Sequence, residues 1–367
     1  MFGADVIVVG GGAVGLFLGC RLAQLGMGVR VLERRPAPAP HSRAIGVHPP
    51  SLERLAVLGL AEKFVREGVR VTRGHAYAGT KHLGTLLFSS CPGPYPFILT
   101  LPQPRTEALL AARLDELSPQ ARFCGAEVVG LETTPNGVTV TLQSGETLRC
   151  RFLVAADGKD SFVRQRVGVP FPGKRYPDTY VMGDFDDTTE LGTDAGLYLT
   201  RTGLIESFPL PGGVRRWVAK TPQLAKEPTP ELLGQLIRER LGVQVPVKTN
   251  KVISSFGVQR FLAERFTSGR VALVGDAAHV LSPIGGQGMN LGWLGAWRLA
   301  DILVTGESLE RYNAHRRTAR NATLRAEFNT VMGRATPFAP LRDSFAWSIL
   351  HTPLKRPFAL AFTMRGL

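Results

Sequence analysis

Cysteine is scarce. The chain holds four in 367 residues, Cys20, Cys91, Cys124 and Cys150, and no two have the spacing of a redox pair or a metal knuckle. That argues against a disulfide framework and against any metal site, and for reduced, mostly buried thiols in a cytoplasmic protein. Long hydrophobic runs are absent too, so nothing in the chain is expected to span a bilayer. The apolar N-terminus lacks a basic leader and is not read as a signal peptide. Acidic residues are the short side of the charge balance, 30 against 44 basic ones, for a net charge of +14. The excess is scattered. No long Lys/Arg run, zinc finger or basic helix accompanies it, which speaks against nucleic acid as a partner. Anionic cofactors and substrates, or an acidic lipid surface, are what such a field would draw in. The rest of the composition is that of a globular chain, 44% hydrophobic and 20% charged, long enough for two domains or one large one.

What is present is concentrated at the start, in DVIVVGGGAVGLFLGCRLAQLGMGVRVLERR. Val6 to Val9 read as a strand buried on both faces. Gly10, Gly12 and Gly15 follow as G-x-G-x-x-G, then a helix from Ala13 to Leu25, then a parallel strand from Val29 to Leu32 ending at Glu33. Gly10 permits the tight turn, Gly12 lets a pyrophosphate approach bare backbone, and Gly15 lets helix and sheet pack closely. The helix N-terminus offers free N–H groups and the positive end of its dipole to phosphate. A carboxylate at Glu33 suits the hydroxyls of an adenosine ribose. Strand, glycines, helix, strand and acid in this order read as a dinucleotide site, without separating NAD from FAD.

Two further stretches repeat the logic. Asp157-Gly158 ends a strand over Phe152 to Ala155 and opens a short helix that Asp157 and Asp160 could cap, with Arg164 as a cation near phosphate. Gly275-Asp276 ends a strand over Arg270 to Val274, and its carboxylate suits a ribityl or ribose diol. Gly285, Gly286 and Gly288 then allow a planar ring to lie against backbone before a helix over Leu291 to Val304. Between these lie a helix after Pro49 and Pro50, a helix from Thr106, a hairpin at Asn136-Gly137, and alternating strands from Phe171 to Phe266 interrupted by a helix over Glu231 to Leu241.

The stretches VVGGGAVG, RAIGVHPPSLERLAVLGL, LPQPRTEALLAARL, FLVAADGKDSFVRQRVG and VALVGDAAHVLSPIGGQGMNLG, in that order, resemble the class A flavoprotein aromatic hydroxylases, the p-hydroxybenzoate hydroxylase-like group. The resemblance runs from Asp5 to about Arg317. It implies an α/β fold: a Rossmann-like FAD-binding domain (residues 1–75, 101–170 and 267–330), an inserted β-sheet substrate domain (76–100 and 171–266) and a C-terminal helical tail (331–367). It implies FAD held at its ADP half by Gly10, Gly12, Ala13, Val14, Gly15, Glu33 and Arg34, with Arg43 near the pyrophosphate and the nicotinamide's approach. Gln103 matches an FAD-contacting glutamine. Asp157 and Gly158 match a motif tied to both FAD and NAD(P)H, and Gly275 and Asp276 match the ribityl site. Pro283, Gly285, Gly286, Gln287, Gly288, Met289 and Asn290 match the loop beside the isoalloxazine.

The implied activity is a monooxygenase. NADPH or NADH reduces the flavin, O2 adds to give the C4a-hydroperoxide, and one oxygen passes to a small aromatic, polyketide-like or quinone-like substrate by hydroxylation or epoxidation. Such chemistry needs few protein acids or bases, and no residue is assigned a catalytic role. Two other readings stand beside it: a flavin-dependent reductase of isoprenoid double bonds, similar to the geranylgeranyl reductases, and a flavin-binding protein without turnover. A monomer or a homodimer is expected. Where the family often carries Asp before Ala in the helix beside the flavin, this chain has Gly295 before Ala296, so that helix is expected to pack differently. No thioredoxin-like extension is expected, which would group the chain with the short members.

Other residues carry open readings. His279 is either a base or a structural histidine. His41 and His48 flank Arg43 and either touch ligand or lie exposed. Tyr180, Tyr198, Arg201 and Trp217 either line the substrate pocket or are ordinary strand residues. The tail from Pro337 has apolar stretches over Phe345 to Leu350 and Phe358 to Phe362, separated by Pro353 and Pro357, with basic residues and no acid after Asp343. Short helices are expected, lying either at an anionic lipid surface as a peripheral contact or over the FAD domain's own core.

Overall fold

The computed structural model describes residues 3–37 and 44–366; Arg43 and His41 lie outside them. The first sheet runs in the order Thr267–Ser268, Val271–Leu273, Thr147–Ala155, Ala4–Val9, Val29–Glu33, Arg122–Cys124. Its central strands are all parallel: Val6 to Val9 pair with Phe152 to Ala155 on one side and Val29 to Leu32 on the other. Only apolar β-branched runs suit strands covered on both faces, and Val6, Ile7, Val8, Leu153 and Val154 are all fully buried. The Ala13–Gln24 helix packs against the Gln103–Leu117 and Gly288–Thr305 helices. A hairpin of Val128–Thr134 and Gly137–Leu142 extends the sheet from the Thr147–Ala155 strand.

The second sheet has eight strands, ordered His279–Val280, Val252–Leu262, Gly173–Asp186, Val214–Thr221, Gly203–Leu210, Ala195–Thr200, Arg73–Ala78, Lys81–Leu87. Side chains alternate across it with period two. Val181, Phe185, Ile205, Trp217 and Ala219 face the Pro230–Leu241 helix and bury its Leu233, Ile237 and Leu241. That helix is set by Thr229, whose hydroxyl caps the Leu232 N–H at 3.2 Å, by Pro230 in its first turn and by Gly242 in the left-handed conformation. Tyr180, Met182, Leu204, Val218 and Phe256 face the other way. A small sheet of Gly46–Val47, Ile98–Thr100 and Val69–Val71 lies between the two larger ones in the chain's path.

The tail forms two helices, Ala339–His351 and Lys355–Phe362. The expectation that it packs over the FAD domain holds only for its end, where Met364 joins the core of the first sheet and Arg365 pairs with Glu53 at 2.7 Å; the two helices lie on the Lys81–Leu87 strand and close the second face of the second sheet. Leu350 and Ala359 are buried there with Leu83, Leu86, Tyr180 and Met182, and Phe362 stacks on Phe88 at 5.7 Å. That face offers a continuous apolar surface, whereas the first sheet is already covered by helices. Phe338, Leu341, Trp347 and Leu354 stay exposed on the outer side. No helix among the described residues is long and apolar enough to cross a membrane.

Gly295 lets two rings pack against its helix. A Cβ there would stand 2.8 Å from the Tyr312 hydroxyl and 2.9 Å from His315 Nε2. The two rings are stacked at 5.7 Å and occupy the space an aspartate would need. His279 is buried beside them against Phe266, at 6.0 Å, and burial pushes its imidazole down to about 3, with His315 adding to the shift. That environment is structural.

Leu350→Ala should cost about 2–4 kcal/mol by opening a void under the tail. Leu341→Ala, at 70% exposure, should stay within about 0.5 kcal/mol of the parent. Urea unfolding of both variants checks the assignment of the tail's inner face.

Candidate functional site

The three turns singled out in the sequence converge because bare backbone lets them. Gly10 has φ +108°, and a Cβ on it would lie 2.3 Å from the Ala156 carbonyl oxygen. A Cβ on Gly15 would lie 1.9 Å from the Gly10 carbonyl oxygen. Gly292 brings the Gly288–Thr305 helix so close that a Cβ would meet Val14 Cγ2 at 2.6 Å and Gly275 Cα at 3.2 Å. The Trp293 indole N–H then donates to the Ala13 carbonyl at 2.9 Å. First strand-turn, Asp157 turn, Gly275 turn and the Gly288–Thr305 helix are thereby locked edge to edge.

Their edges line one cleft. Gly12, Ala13, Val14, Gln103, Gly158, Gly275, Asp276, Pro283, Gly285, Gly286, Gly288 and Met289 all face it. Gly10 and Gly15 stand behind it as packing residues. Glu33 lines an adjoining hollow with Gly11, Arg35 and Glu107. Its carboxylate accepts the Gly11 N–H at 2.8 Å and the Arg35 backbone and guanidinium N–H groups at 3.0 and 2.8 Å. Burial raises that carboxyl, but the Arg35 and Gly11 hydrogen bonds outweigh it and hold it below the usual range. Arg35 thus pairs with Glu33, while Arg34 is exposed.

Several candidates are placed differently from the sequence reading. Asn290 is fully buried and does not face the cleft. Its side chain accepts the His48 N–H at 2.8 Å and donates to the Gly46 and Gly286 carbonyls at 2.8 and 3.0 Å, so it clips the glycine loop to the Gly46–Val47 strand. Gln287 is buried and donates to the Phe362 carbonyl at 3.4 Å. The short helix after Asp157 is capped by Ser161, whose hydroxyl accepts the Arg164 N–H at 2.9 Å, and not by Asp160. Arg164 is not a phosphate cation. It is buried over the Phe171 ring at 3.8 Å and donates to the Ala277 and Lys159 carbonyls, tying two cofactor turns together. His48 is buried beneath Gly286, and burial holds its imidazole down at about 4, so it is neutral. Tyr198 and Trp217 stack on the helix-covered face of the second sheet, at 6.1 Å, and Arg201 is an exposed turn residue. Sequence reading passed over Glu107, whose carboxylate takes the Ala13 N–H at 3.2 Å and the Gln103 amide at 2.7 Å. The Gln103-to-Glu107 spacing of four on a helix was the available signal.

The cleft fits a dinucleotide. A Cβ at Gly12 would meet nothing closer than Glu107 Oε1 at 3.8 Å, so this glycine is dispensable to the protein and leaves its space to a ligand. Asp157 accepts the Val163 N–H at 3.1 Å through Oδ2, while its buried Oδ1 has no partner, and burial holds its carboxyl above the usual range. Asp276 opens onto the cleft. The dense protein around it pushes its carboxyl up to about 6, against a pull from Lys159. Its exposure to cleft water offsets much of that crowding, and the carboxylate is ionised at neutral pH.

These observations separate two kinds of glycine. Gly15→Ala should lose both fold stability and FAD. Gly12→Val should keep an unfolding midpoint close to the parent's and lose FAD. Asp276→Ala should weaken FAD binding by about 1.5–3 kcal/mol, the worth of a charged hydrogen bond. FAD titration by flavin fluorescence, beside urea unfolding of each variant, reads both properties.

At its far end the cleft meets a second, largely apolar cavity of about 150 Å³. The two share Ile98, Thr100, Glu206, Phe208, Ile284, Gly285 and Phe362. Residues 3–327 match the FAD binding domain family. A rifampicin monooxygenase of Streptomyces venezuelae is 37% identical over 329 residues, covering 85% of this chain and 68% of the relative. The anhydrotetracycline hydroxylase of Streptomyces rimosus superposes with a TM-score of 0.82 at 31% identity, over 99% of this chain and 76% of that one. The fold also matches the p-nitrophenol 4-monooxygenase of Pseudomonas putida, with a TM-score of 0.89 at 24% identity, over 99% and 98% of the two chains. With its nucleotide turns, cleft and two-sheet architecture, the chain belongs to the FAD binding domain family of class A flavin-dependent aromatic monooxygenases.

Proposed function

We propose that the chain is an FAD-dependent monooxygenase that uses NADPH or NADH and O2 to hydroxylate or epoxidise an aromatic, polyketide-like or quinone-like molecule. The observation that carries this reading is the junction of cleft and cavity at Ile284 and Gly285. A ring system laid on the backbone of Gly285 and Gly286, as the family resemblance implies, would present its edge to the apolar cavity. Bound FAD would accept the hydride and activate oxygen there.

The chain's own residues bind, orient and exclude water. Gly285 and Gly286 have φ of +95° and +64°, a conformation open to glycine at no steric cost, and a Cβ on Gly285 would meet Asn329 Nδ2 at 2.9 Å. Asn290 holds that loop from behind. Leu199, Leu204, Phe208, Leu350 and Phe358 wall the cavity, and a dry wall protects a reactive oxygen species from water. Thr100 donates its hydroxyl to the Pro209 carbonyl at 2.6 Å and so presents little polarity to the junction. The relatives are named for rifampicin and anhydrotetracycline, and the apolar lining of the cavity supports carrying a largely apolar substrate to this chain.

The test is a panel of phenols, quinones and fused-ring polyketides under labelled dioxygen, with NAD(P)H oxidation followed in parallel. One labelled oxygen atom in the product, with the second in water, is the expected result. A product that gains two hydrogens and no label would transfer the chain to the flavin-dependent reductases. FAD binding without substrate-stimulated NAD(P)H oxidation across the panel would leave a flavin carrier.

A further inference from the structure

Among the described residues, four acids are buried in the protein: Asp178, Asp184, Asp194 and Glu206. Three are paired. Asp184 receives both arms of Arg216, at 2.6 and 2.7 Å. Asp178 holds Arg334 and Lys220, at 2.8 and 3.2 Å. Asp194 holds Arg73 and His75, each at 3.0 Å. Glu206, 5% exposed, has no hydrogen bond or ion pair with any described residue.

Its position makes this more than an accident of packing. Glu206 lies in the middle of the Gly203–Leu210 strand, paired with Leu197 on one side and Val218 on the other. Leu204 and Phe208, two residues away on the same face, are apolar cavity wall. The strand's alternation therefore calls for an aliphatic residue at 206. Glu206 lines both the cavity and the cleft, so its carboxyl stands where they join. Among the described residues no lysine or arginine lines the cavity; His75 in its wall is held by Asp194, and Arg216 in the adjoining cleft is held by Asp184. Tyr180, on the neighbouring Gly173–Asp186 strand, has a buried hydroxyl without a partner and lies within electrostatic reach of Glu206. Burial pushes the Glu206 carboxyl up to about 8. It is therefore protonated at neutral pH, able to donate a hydrogen bond as well as accept one. An unpaired acid in an apolar wall is costly to the fold, and a ligand's polar group offsets that cost.

We propose that Glu206 is the specificity-determining residue of the substrate cavity: it hydrogen-bonds a hydroxyl on an uncharged, largely apolar aromatic substrate, and the cavity, with no lysine or arginine among the described residues of its lining, rejects aromatic carboxylates. This rests on reading the cavity as the substrate site of an FAD enzyme. A site built to hydrogen-bond a substrate hydroxyl discriminates strongly against the analogue without it.

The experiment uses the full chain loaded with FAD and reads binding from the perturbation of the flavin's visible spectrum. The probes are 2-naphthol, 2-methylnaphthalene and 6-hydroxy-2-naphthoate. The parent should bind 2-naphthol at least tenfold more tightly than either of the other two. Glu206→Leu should lose about tenfold for 2-naphthol and nothing for 2-methylnaphthalene, a split that general damage to the cavity would not give. Glu206→Gln, which keeps a donor and an acceptor, should stay within about threefold of the parent for 2-naphthol. Equal loss for both neutral probes in Glu206→Leu, or unchanged 2-naphthol binding, overturns the role of Glu206 while leaving the substrate site standing. Tight binding of 6-hydroxy-2-naphthoate by the parent overturns the charge selection. A chain that takes up FAD but shows no perturbation with any probe overturns the substrate-site reading, and the proposal with it.

Discussion

The structure depends on how closely three backbone turns approach one another. Gly15 sits on the Gly10 carbonyl, Gly10 sits on the Ala156 carbonyl, and Gly292 sits on Gly275. None of these contacts has room for a methyl group. Because the turns touch directly, strands separated by more than a hundred residues in sequence end at one line, and a helix N-terminus and the open acid Asp276 face the same cleft. The surrounding core enforces this. Leu18, Leu22, Leu153, Val274 and Trp293 are fully buried around the junction, so the turns cannot drift apart without opening the centre of the domain.

The second sheet applies the same economy to two different tasks. One face is closed by a helix of the chain itself, the other by the tail, and the tail does not fill the space it covers. The result is a largely apolar cavity with Glu206 where it joins the cleft. The ion pairs of this sheet, Arg216 with Asp184 and Arg215 with Asp187 at 2.8 Å, lie beside that cavity's strands and are internally satisfied. Glu206, with the nearby Tyr180 hydroxyl, keeps unused hydrogen-bonding capacity.

The parallel sheet and its nucleotide turns were legible in the sequence because each rests on local chemistry: a glycine where a turn must be bare, a β-branched run where a strand is covered twice. Asn290 was placed in the right loop for a different reason from its actual one, since its partners Gly46, His48 and Gly286 come from two distant parts of the chain. Arg164 was misread because a cation after an Asp-Gly turn looks the same whether it points to a ligand or to backbone carbonyls. The tail's helices followed from Pro353 and Pro357, but not the surface they cover, which exists only once the second sheet has formed. Glu206 gave no signal at all. A single acid in an alternating strand reads as the solvent side, and only the three-dimensional register shows that this side faces a cavity.

The central claim is that the nucleotide cleft and the apolar cavity form one site, joined at the Ile284–Gly285 backbone. A crystal structure of the FAD complex tests it most directly. The account predicts the adenosine half beside Glu33, the pyrophosphate over Gly12, the ribityl chain at Asp276, and the isoalloxazine on Gly285 and Gly286 with its edge open to the cavity under the tail helices. An isoalloxazine lying elsewhere, or one walled off from that cavity, would contradict it.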